Sequence, residues 1–402
     1  MSAGVLVVGG GQAGVELVCS LRERGYTAPI TIVGEEPYLP YQRPPLSKAY
    51  LAGKANAETL ALRSDDFFER EKITILKGQR VVEVTAPSRD GNLVGIAKTD
   101  KGITLEFDKL VLAVGAGPRK LQIPGHELSG IHYLRDIADA EALKGGLGEA
   151  NSVVVIGGGF IGLEAAAVAR ARGKTVTVLQ SDERLMSRVV APVVSQFYLD
   201  AHRRRGSRIQ LNSVAAGFVG RNGRVEGVIL ADGSQLAADI VIVGVGVIPR
   251  LELAQQLGLE CGTGICVDEF ARTSHPSVFA IGDCTMTPHP LVPGKLIQLE
   301  SVPHAQEQAK IAAAAIVGQP EAYKAVPWFW SDQDTLKLQI VGLSSGFDQT
   351  VVKGNPDAEK FAVYYFREGQ LLAVDAINSP RDFMAGRRAL SSGVNIAPAD
   401  IS

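Results

Sequence analysis

One pattern occurs twice in this chain and leaves few folds open to it. Val5-Leu6-Val7-Val8 runs into Gly9-Gly10-Gly11-Gln12-Ala13-Gly14, and Val153-Val154-Val155-Ile156 runs into Gly157-Gly158-Gly159-Phe160-Ile161-Gly162. Short unbroken apolar runs are what parallel strands buried on both faces require. A helical stretch follows each, Val15 to Arg24 and Leu163 to Arg172, and each ends at a glycine, Gly25 or Gly173. A second apolar run comes next, Ile30 to Val33 and Thr175 to Leu179. Each set reads as a strand–helix–strand unit with a glycine fingerprint in its first turn. There the first glycine makes the bend, the second lets backbone approach a pyrophosphate, and the third packs helix on strand. The helix N-terminus then offers unpaired N–H groups and the positive end of its dipole. One such match is weak; two, each between a strand and a helix, point to two nucleotide sites.

Three further apolar runs end at glycine: Lys109 to Gly115, Asp239 to Gly246 and Ser277 to Asp283. They imply that the second unit is inserted in the first domain. Past residue 324, short alternating runs between turn signals read as antiparallel strands. The expected fold is α/β: two Rossmann-like dinucleotide-binding domains, the second inserted in the first, plus a C-terminal α+β domain. The bounds are 1–114 and 244–323 for an FAD-binding domain, 115–243 for an NAD(P)-binding domain, and 324–402 for a C-terminal interface domain. At roughly 100–200 residues per domain, 402 residues accommodate all three.

Two nucleotide sites in series imply a tightly held FAD and an exchangeable nicotinamide. Gly9, Gly11, Gln12, Ala13 and Gly14 would surround the FAD pyrophosphate. Glu35, 21 residues after Gly14, is placed to accept from the adenosine ribose, and Asp283 to hold the ribityl chain. Gly157, Gly159, Phe160, Ile161, Gly162 and the glycine turn at Gly246 would hold NAD(P). Gln180, 18 residues after Gly162, takes the ribose-reading position there. It can bond a 2′-hydroxyl, but it lacks a carboxylate's charge against a 2′-phosphate. With Asp182 and Glu183 close by, NADH is expected and NADPH left open.

The whole chain resembles the glutathione-reductase-type flavoproteins, and within them the oxygenase-coupled ferredoxin reductases. The residues that carry this are Pro40-Tyr41-Gln42-Arg43-Pro44-Pro45-Leu46-Ser47-Lys48, Glu300 to Ala309, and Pro327-Trp328-Phe329-Trp330-Ser331-Asp332-Gln333. The resemblance implies that Arg43, Lys48, Val82, Arg135 and Val302 also line FAD. It implies that Lys48 and Glu164 form an ion pair at the flavin edge, with Trp330 near the isoalloxazine. It further implies a 2Fe-2S ferredoxin partner that serves a monooxygenase or dioxygenase. The ferredoxin would dock between the FAD and C-terminal domains, near Lys310, Lys337, Arg387 and Arg388. The chain departs from the family at Gln180, where an acid is usual, at His304, where Asn is common, and in ending soon after Pro398.

Other classes fit less well. Forty-one basic and 43 acidic residues leave a formal charge of -2, which excludes a strongly basic nucleic-acid binder. No run approaches 18 uncharged apolar residues, so no membrane span is expected. Four cysteines in so long a chain fit a reducing, cytoplasmic setting. Cys261 and Cys266 have the spacing of a redox pair but lie far from the first strand–helix–strand unit, and read as packing. The six histidines are dispersed, so no metal site is expected. Two alternatives stay open: a monodehydroascorbate-type reductase of small acceptors, and a redox-controlled binding flavoprotein like the apoptosis-inducing factors.

Overall fold

The apolar runs become strands because each can bury both faces. In the computed structural model, which describes residues 2–88 and 93–401, Val5–Val8 is the middle strand of a five-stranded parallel sheet. Across that sheet the strands are Val278–Ala280, Lys109–Leu112, Val5–Val8, Ile30–Gly34 and Ile73–Lys77. The register sets Val5 beside Ile30 and Val8 beside Val33. Side chains alternate between faces. Val5, Val7, Ile32 and Val111 therefore pack on the helices Gln12–Glu23 and Val302–Ile316. Leu6, Val8, Leu110 and Leu112 face the opposite layer, which holds Val84, Ala97 and Phe107 of a three-stranded antiparallel sheet.

The second unit repeats the plan. Its five parallel strands run Arg208–Gln210, Thr175–Leu179, Ser152–Ile156, Ile240–Val243 and Ile131–His132. The helix Phe160–Ala171 follows the central strand, and Gly173 lies just beyond its C-cap with φ +76, in the left-handed region where glycine is the natural helix stop.

The C-terminal region is an antiparallel sheet, in the order Trp328–Gln333, Leu336–Gly342, Gln370–Ile377, Lys360–Arg367 and Gln349–Asn355. The helix Pro380–Ser392 packs on it through Phe383, Gly386 and Ala389.

The contacts define two compact units. One comprises residues 1–42, 57–117 and 248–327; the other comprises 43–56, 118–247 and 328–402. Residues 43–56, read from the sequence as part of the first domain, belong with the second unit. Hydrogen bonds from Arg43 to the Arg135 carbonyl and from Arg172 to the Leu51 carbonyl bind them there. Among the described residues no helix is long and apolar enough to cross a membrane.

Gly386 lets the last helix lie close on its sheet, because a Cβ there would come 2.6 Å from Val374 Cγ2. Gly386→Ala should therefore cost about 1–3 kcal/mol through overpacking, read as a lower Tm at unchanged flavin content.

Candidate active site

In the first unit the three fingerprint glycines are required for different reasons. Gly9 has φ +120, and a Cβ on it would lie 2.1 Å from the Ala113 carbonyl oxygen. A Cβ on Gly14 would lie 2.2 Å from the Gly9 oxygen, where helix meets strand. Gly11 is different. Its φ of -90 suits any residue, and a Cβ there would meet no protein atom within 4 Å. The fold alone does not need glycine at 11, whereas a pyrophosphate laid against the backbone does. The helix Gln12–Glu23 also starts with no side-chain cap and no acid in its first turn, which leaves its N–H groups and dipole for an anion. These residues fit FAD.

The first unit also carries other residues expected at FAD. Glu35 Oε1 accepts from Arg250 Nη1 at 2.5 Å. Arg250 escaped the sequence reading; its only signal was its place just after the strand Val247–Pro249. Asp283 sits in the short helical turn Gly282–Cys284, held by the Gly282 N–H to Gln308 Oε1 at 2.7 Å. Val302 opens the helix Val302–Ile316, capped by Ser301 Oγ accepting from the His304 N–H at 3.2 Å. His304 is buried against Tyr323, its Nδ1 3.0 Å from the phenol oxygen, and burial pushes its pKa down to about 4. Val82 is exposed on the strand Val81–Thr85, its carbonyl accepting from Gln256 Nε2 at 3.0 Å.

The second unit reproduces the turn. A Cβ on Gly157, at φ +109, would lie 2.3 Å from the Gly244 oxygen, and one on Gly162 would lie 2.1 Å from the Gly157 oxygen. A Cβ on Gly159 would again meet nothing within 4 Å, and the helix after it again lacks a side-chain cap and a first-turn acid. Phe160 packs on Phe329, ring centroids 4.7 Å apart, and Ile161 is exposed. The residues fit a nicotinamide dinucleotide. Gln180 departs from a simple ribose reader. Its Oε1 accepts the Gly158 N–H at 2.7 Å, so the amide oxygen is spent on the fingerprint turn and the Nε2 donors face away from it. Gly246, at φ +103, has Arg188 Nη2 3.9 Å from where its Cβ would be. That guanidinium too was missed in a run with no periodic signal.

The chemistry-bearing side chains of the second unit meet on one carboxylate. Glu164, in the first turns of the glycine helix, is buried. Lys48 Nζ lies 2.9 Å from its Oε1, Ser331 Oγ donates to the same oxygen at 2.6 Å, and Ser47 Oγ donates to Oε2 at 2.5 Å. Two distant segments, 47–48 and 331, thus satisfy a charge that would be costly to bury unpaired. The expected Lys48–Glu164 pair is present; the two serines were not foreseen, although both stand inside the motifs already singled out. Behind Ser331, Gln333 Nε2 donates to its oxygen at 3.3 Å, and Gln333 Oε1 lies 2.8 Å from His202 Nε2. Trp330 is half-buried on the same strand, stacked 5.5 Å from Trp328. Arg43 Nη1 donates to the Arg135 carbonyl at 2.8 Å.

The four expected docking cations differ in their environments. Lys310 is committed to Glu307 at 2.8 Å, and the Arg387 guanidinium lies 5.2 Å above the Trp328 ring. Lys337 and Arg388 are exposed on the C-terminal sheet and its helix. Cys19, Cys261, Cys266 and Cys284 are all free thiols. Cys261 bridges Ile265 across a bend. Burial raises the Cys261 pKa and pushes the Cys284 thiol up to about 12, the opposite of an activated thiolate. Among the described residues no group of three or more His, Cys, Asp or Glu side chains could hold a metal ion.

Residues 3–309 match the model of the pyridine nucleotide-disulphide oxidoreductases. The chain belongs to that family. Residues 328–402 match the reductase C-terminal domain. The reductase is 42% identical over 396 residues to rhodocoxin reductase of Rhodococcus erythropolis, covering 98% of this chain and 91% of that one. It is 40% identical over 399 residues to putidaredoxin reductase of Pseudomonas putida, covering 98% and 93%. The crystal structure of the ferredoxin reductase for the CYP199A2 system from Rhodopseudomonas palustris superposes with a TM-score of 0.95 at 39% identity, covering 100% of this chain and 97% of that one. The chain is thus an oxidoreductase, and its family uses FAD with a pyridine nucleotide.

Two substitutions test the cradles. Gly11→Val should leave a folded protein, because the space beside it is open, but one that purifies with little or no flavin; absorbance at the flavin band and circular dichroism read the two outcomes separately. Gln180→Glu keeps an acceptor for the Gly158 N–H and adds a charge. It should shift the NADH-to-NADPH ratio of kcat/KM about ten-fold toward NADH through short-range repulsion of a 2′-phosphate.

Proposed function

We propose that this reductase takes electrons from NADH and delivers them singly to a 2Fe-2S ferredoxin that serves an oxygenase. The observation that carries the reading is the cluster on Glu164 of the second glycine helix, to which a flavin-loop motif contributes Ser47 and Lys48 and the C-terminal domain contributes Ser331. A disulfide reductase would need an activated cysteine instead, and burial raises the pKa of Cys261 and Cys284, away from a thiolate. Among structural relatives with 40% identity is the putidaredoxin reductase of a covalent complex with putidaredoxin, at a TM-score of 0.92 over 98% of this chain and 94% of that one.

In this reading residues 1–114 and 244–323 bind FAD, 115–243 bind NAD(P)H, and 324–402 form the interface domain. Bound FAD supplies the conversion from a two-electron donor to a one-electron acceptor. The chain's residues do the rest. Gly9, Gly11 and Gly14 with the following N–H groups hold the FAD pyrophosphate, Glu35 holds the adenosine ribose in partnership with Arg250, and Asp283 holds the ribityl chain. Val82, Val302, Arg43 and Arg135 complete the FAD set. Gly157, Gly159, Gly162 and Gly246 hold the coenzyme, and Gln180 presents donors to it. Lys48 is oriented by Glu164, which the two serines keep from rotating. No side chain has to act as a nucleophile or a general acid. Trp330 lies toward the isoalloxazine. Four unpaired cysteines suit a cytoplasmic enzyme.

The test of the activity is cytochrome c reduction by NADH with and without a 2Fe-2S ferredoxin. The reading expects rapid turnover only with the ferredoxin, whereas equal rates with small quinones and no ferredoxin stimulation would overturn it. For docking, Arg388 is the cleanest cation, since Lys310 is already neutralised by Glu307 and Arg387 is seated on Trp328. Arg388→Glu should raise the KM for an acidic ferredoxin and flatten its salt dependence, with ferricyanide reduction unchanged. Lys310→Ala should do markedly less.

A further inference from the structure

The loop between Gln180 and the helix Pro192–Arg204 touches both glycine turns of the second nucleotide unit. The Met186 N–H donates to the Gly158 oxygen at 3.0 Å, with Met186 itself at φ +50, an unfavourable value for a side chain of that size. Leu185 Cδ2 would come 2.5 Å from a Cβ on Gly158, and Arg188 approaches Gly246 as described. A loop in this strained path has to be held. Inside, Arg184 donates to the carbonyls of Ser187 and Val190, the second at 2.6 Å, and to Ser195 Oγ at 2.9 Å. At its end, the Ala191 N–H donates to Tyr365 Oη at 3.0 Å, and the Tyr365 hydroxyl donates to Asp375 Oδ2.

Tyr365 and Asp375 lie on adjacent strands of the C-terminal sheet and are fully buried. Among the described residues Asp375 Oδ1 has no hydrogen-bond partner, and Tyr198 Oη, from the helix that begins after Ala191, is a second buried oxygen without one. Burial raises the Asp375 carboxyl pKa to about 7. Phe and an apolar residue would fill the same space without that cost. What the pair provides that apolar packing cannot is a fixed acceptor for the Ala191 N–H.

We propose that Tyr365 and Asp375 are positioning residues for the nicotinamide coenzyme: through Ala191 they hold the loop of residues 181–191 against the turn that binds it. This rests on the assignment of Gly157–Gly162 and Gly246 to that coenzyme. Loosening the anchor frees the loop to leave the pocket wall, which weakens coenzyme binding while the groups around Glu164 stay in place. The effect belongs in KM and not in kcat.

The holoenzyme is assayed with NADH and saturating ferricyanide. Ala191→Pro removes the N–H and turns the ring Cδ toward Tyr365 Oη, so the anchor is lost and pushed apart, while the Ala191 φ of -67 suits proline. Ala191→Pro and Tyr365→Phe should each raise the KM for NADH about five-fold, the size of one lost hydrogen bond, with kcat and flavin content within about two-fold of wild type. Asp375→Asn keeps an acceptor for the tyrosine and should stay within about two-fold in KM. An unchanged KM in Ala191→Pro, or a fall in kcat at constant KM, overturns the proposal; should Tyr365→Phe fail to fold, Ala191→Pro still decides. Gly159→Val separates the two layers of the argument. If it raises KM while Ala191→Pro does not, only the anchor is wrong. If neither raises KM, the coenzyme assignment itself falls.

Discussion

Everything in this reductase is arranged around two places where one backbone carbonyl presses on a glycine. The Ala113 oxygen occupies the space of a Cβ at Gly9, and the Gly244 oxygen does the same at Gly157. Each carbonyl belongs to the residue just past the strand beside the fingerprint strand, so the turn, the sheet order and the helix origin are one steric solution. The open sides at Gly11 and Gly159 are the complement of that closure. At Gly9, Gly14, Gly157 and Gly162 protein atoms crowd the missing Cβ, while at Gly11 and Gly159 the space beside the backbone is open, and the same contrast appears in both units.

Much of this was legible beforehand because its cause is local. Two-face burial makes an unbroken apolar run, and the helix stop at Gly173 needs a left-handed residue. The Lys48–Glu164 pair followed from resemblance, and the geometry places both side chains together. What stayed hidden depends on long-range convergence. Ser47 and Ser331 are ordinary hydroxyls until the chain folds, and no spacing tells which carboxylate they meet. The strand Trp328–Gln333 illustrates the reason. Its inward positions are Ser331 and Gln333, both buried, so apolar alternation fails where the strand faces Glu164 and His202. The contacts of segment 43–56 are equally hard to read from sequence, because its partners Arg135, Glu164 and Arg172 lie about a hundred residues away.

Gln180 shows how a side chain's partner can narrow what it offers a ligand. Sequence spacing puts it at the end of the second strand, where a residue reads ribose. The structure adds that its oxygen is already bound to the Gly158 N–H, which settles which end of the amide is which. A side chain with its acceptor spent offers donors, and donors suit hydroxyl and phosphate oxygens alike. The discrimination a carboxylate would impose is therefore weakened by geometry as well as by charge.

The buried polar groups of the second unit follow one logic. Glu164, with three donors, and Asp375, with one, sit in a core that hydrophobic side chains could fill at lower cost. Their value lies in direction. An apolar contact tolerates rotation and sliding, whereas a carboxylate held by a serine on each oxygen has one orientation, and a lysine paired to it has little freedom left. Electron transfer through cofactors asks the protein for little chemistry of its own and for accurate placement. A core that gives up some packing stability for fixed hydrogen bonds, concentrated near the second glycine helix and the loop beside it, is what that demand selects.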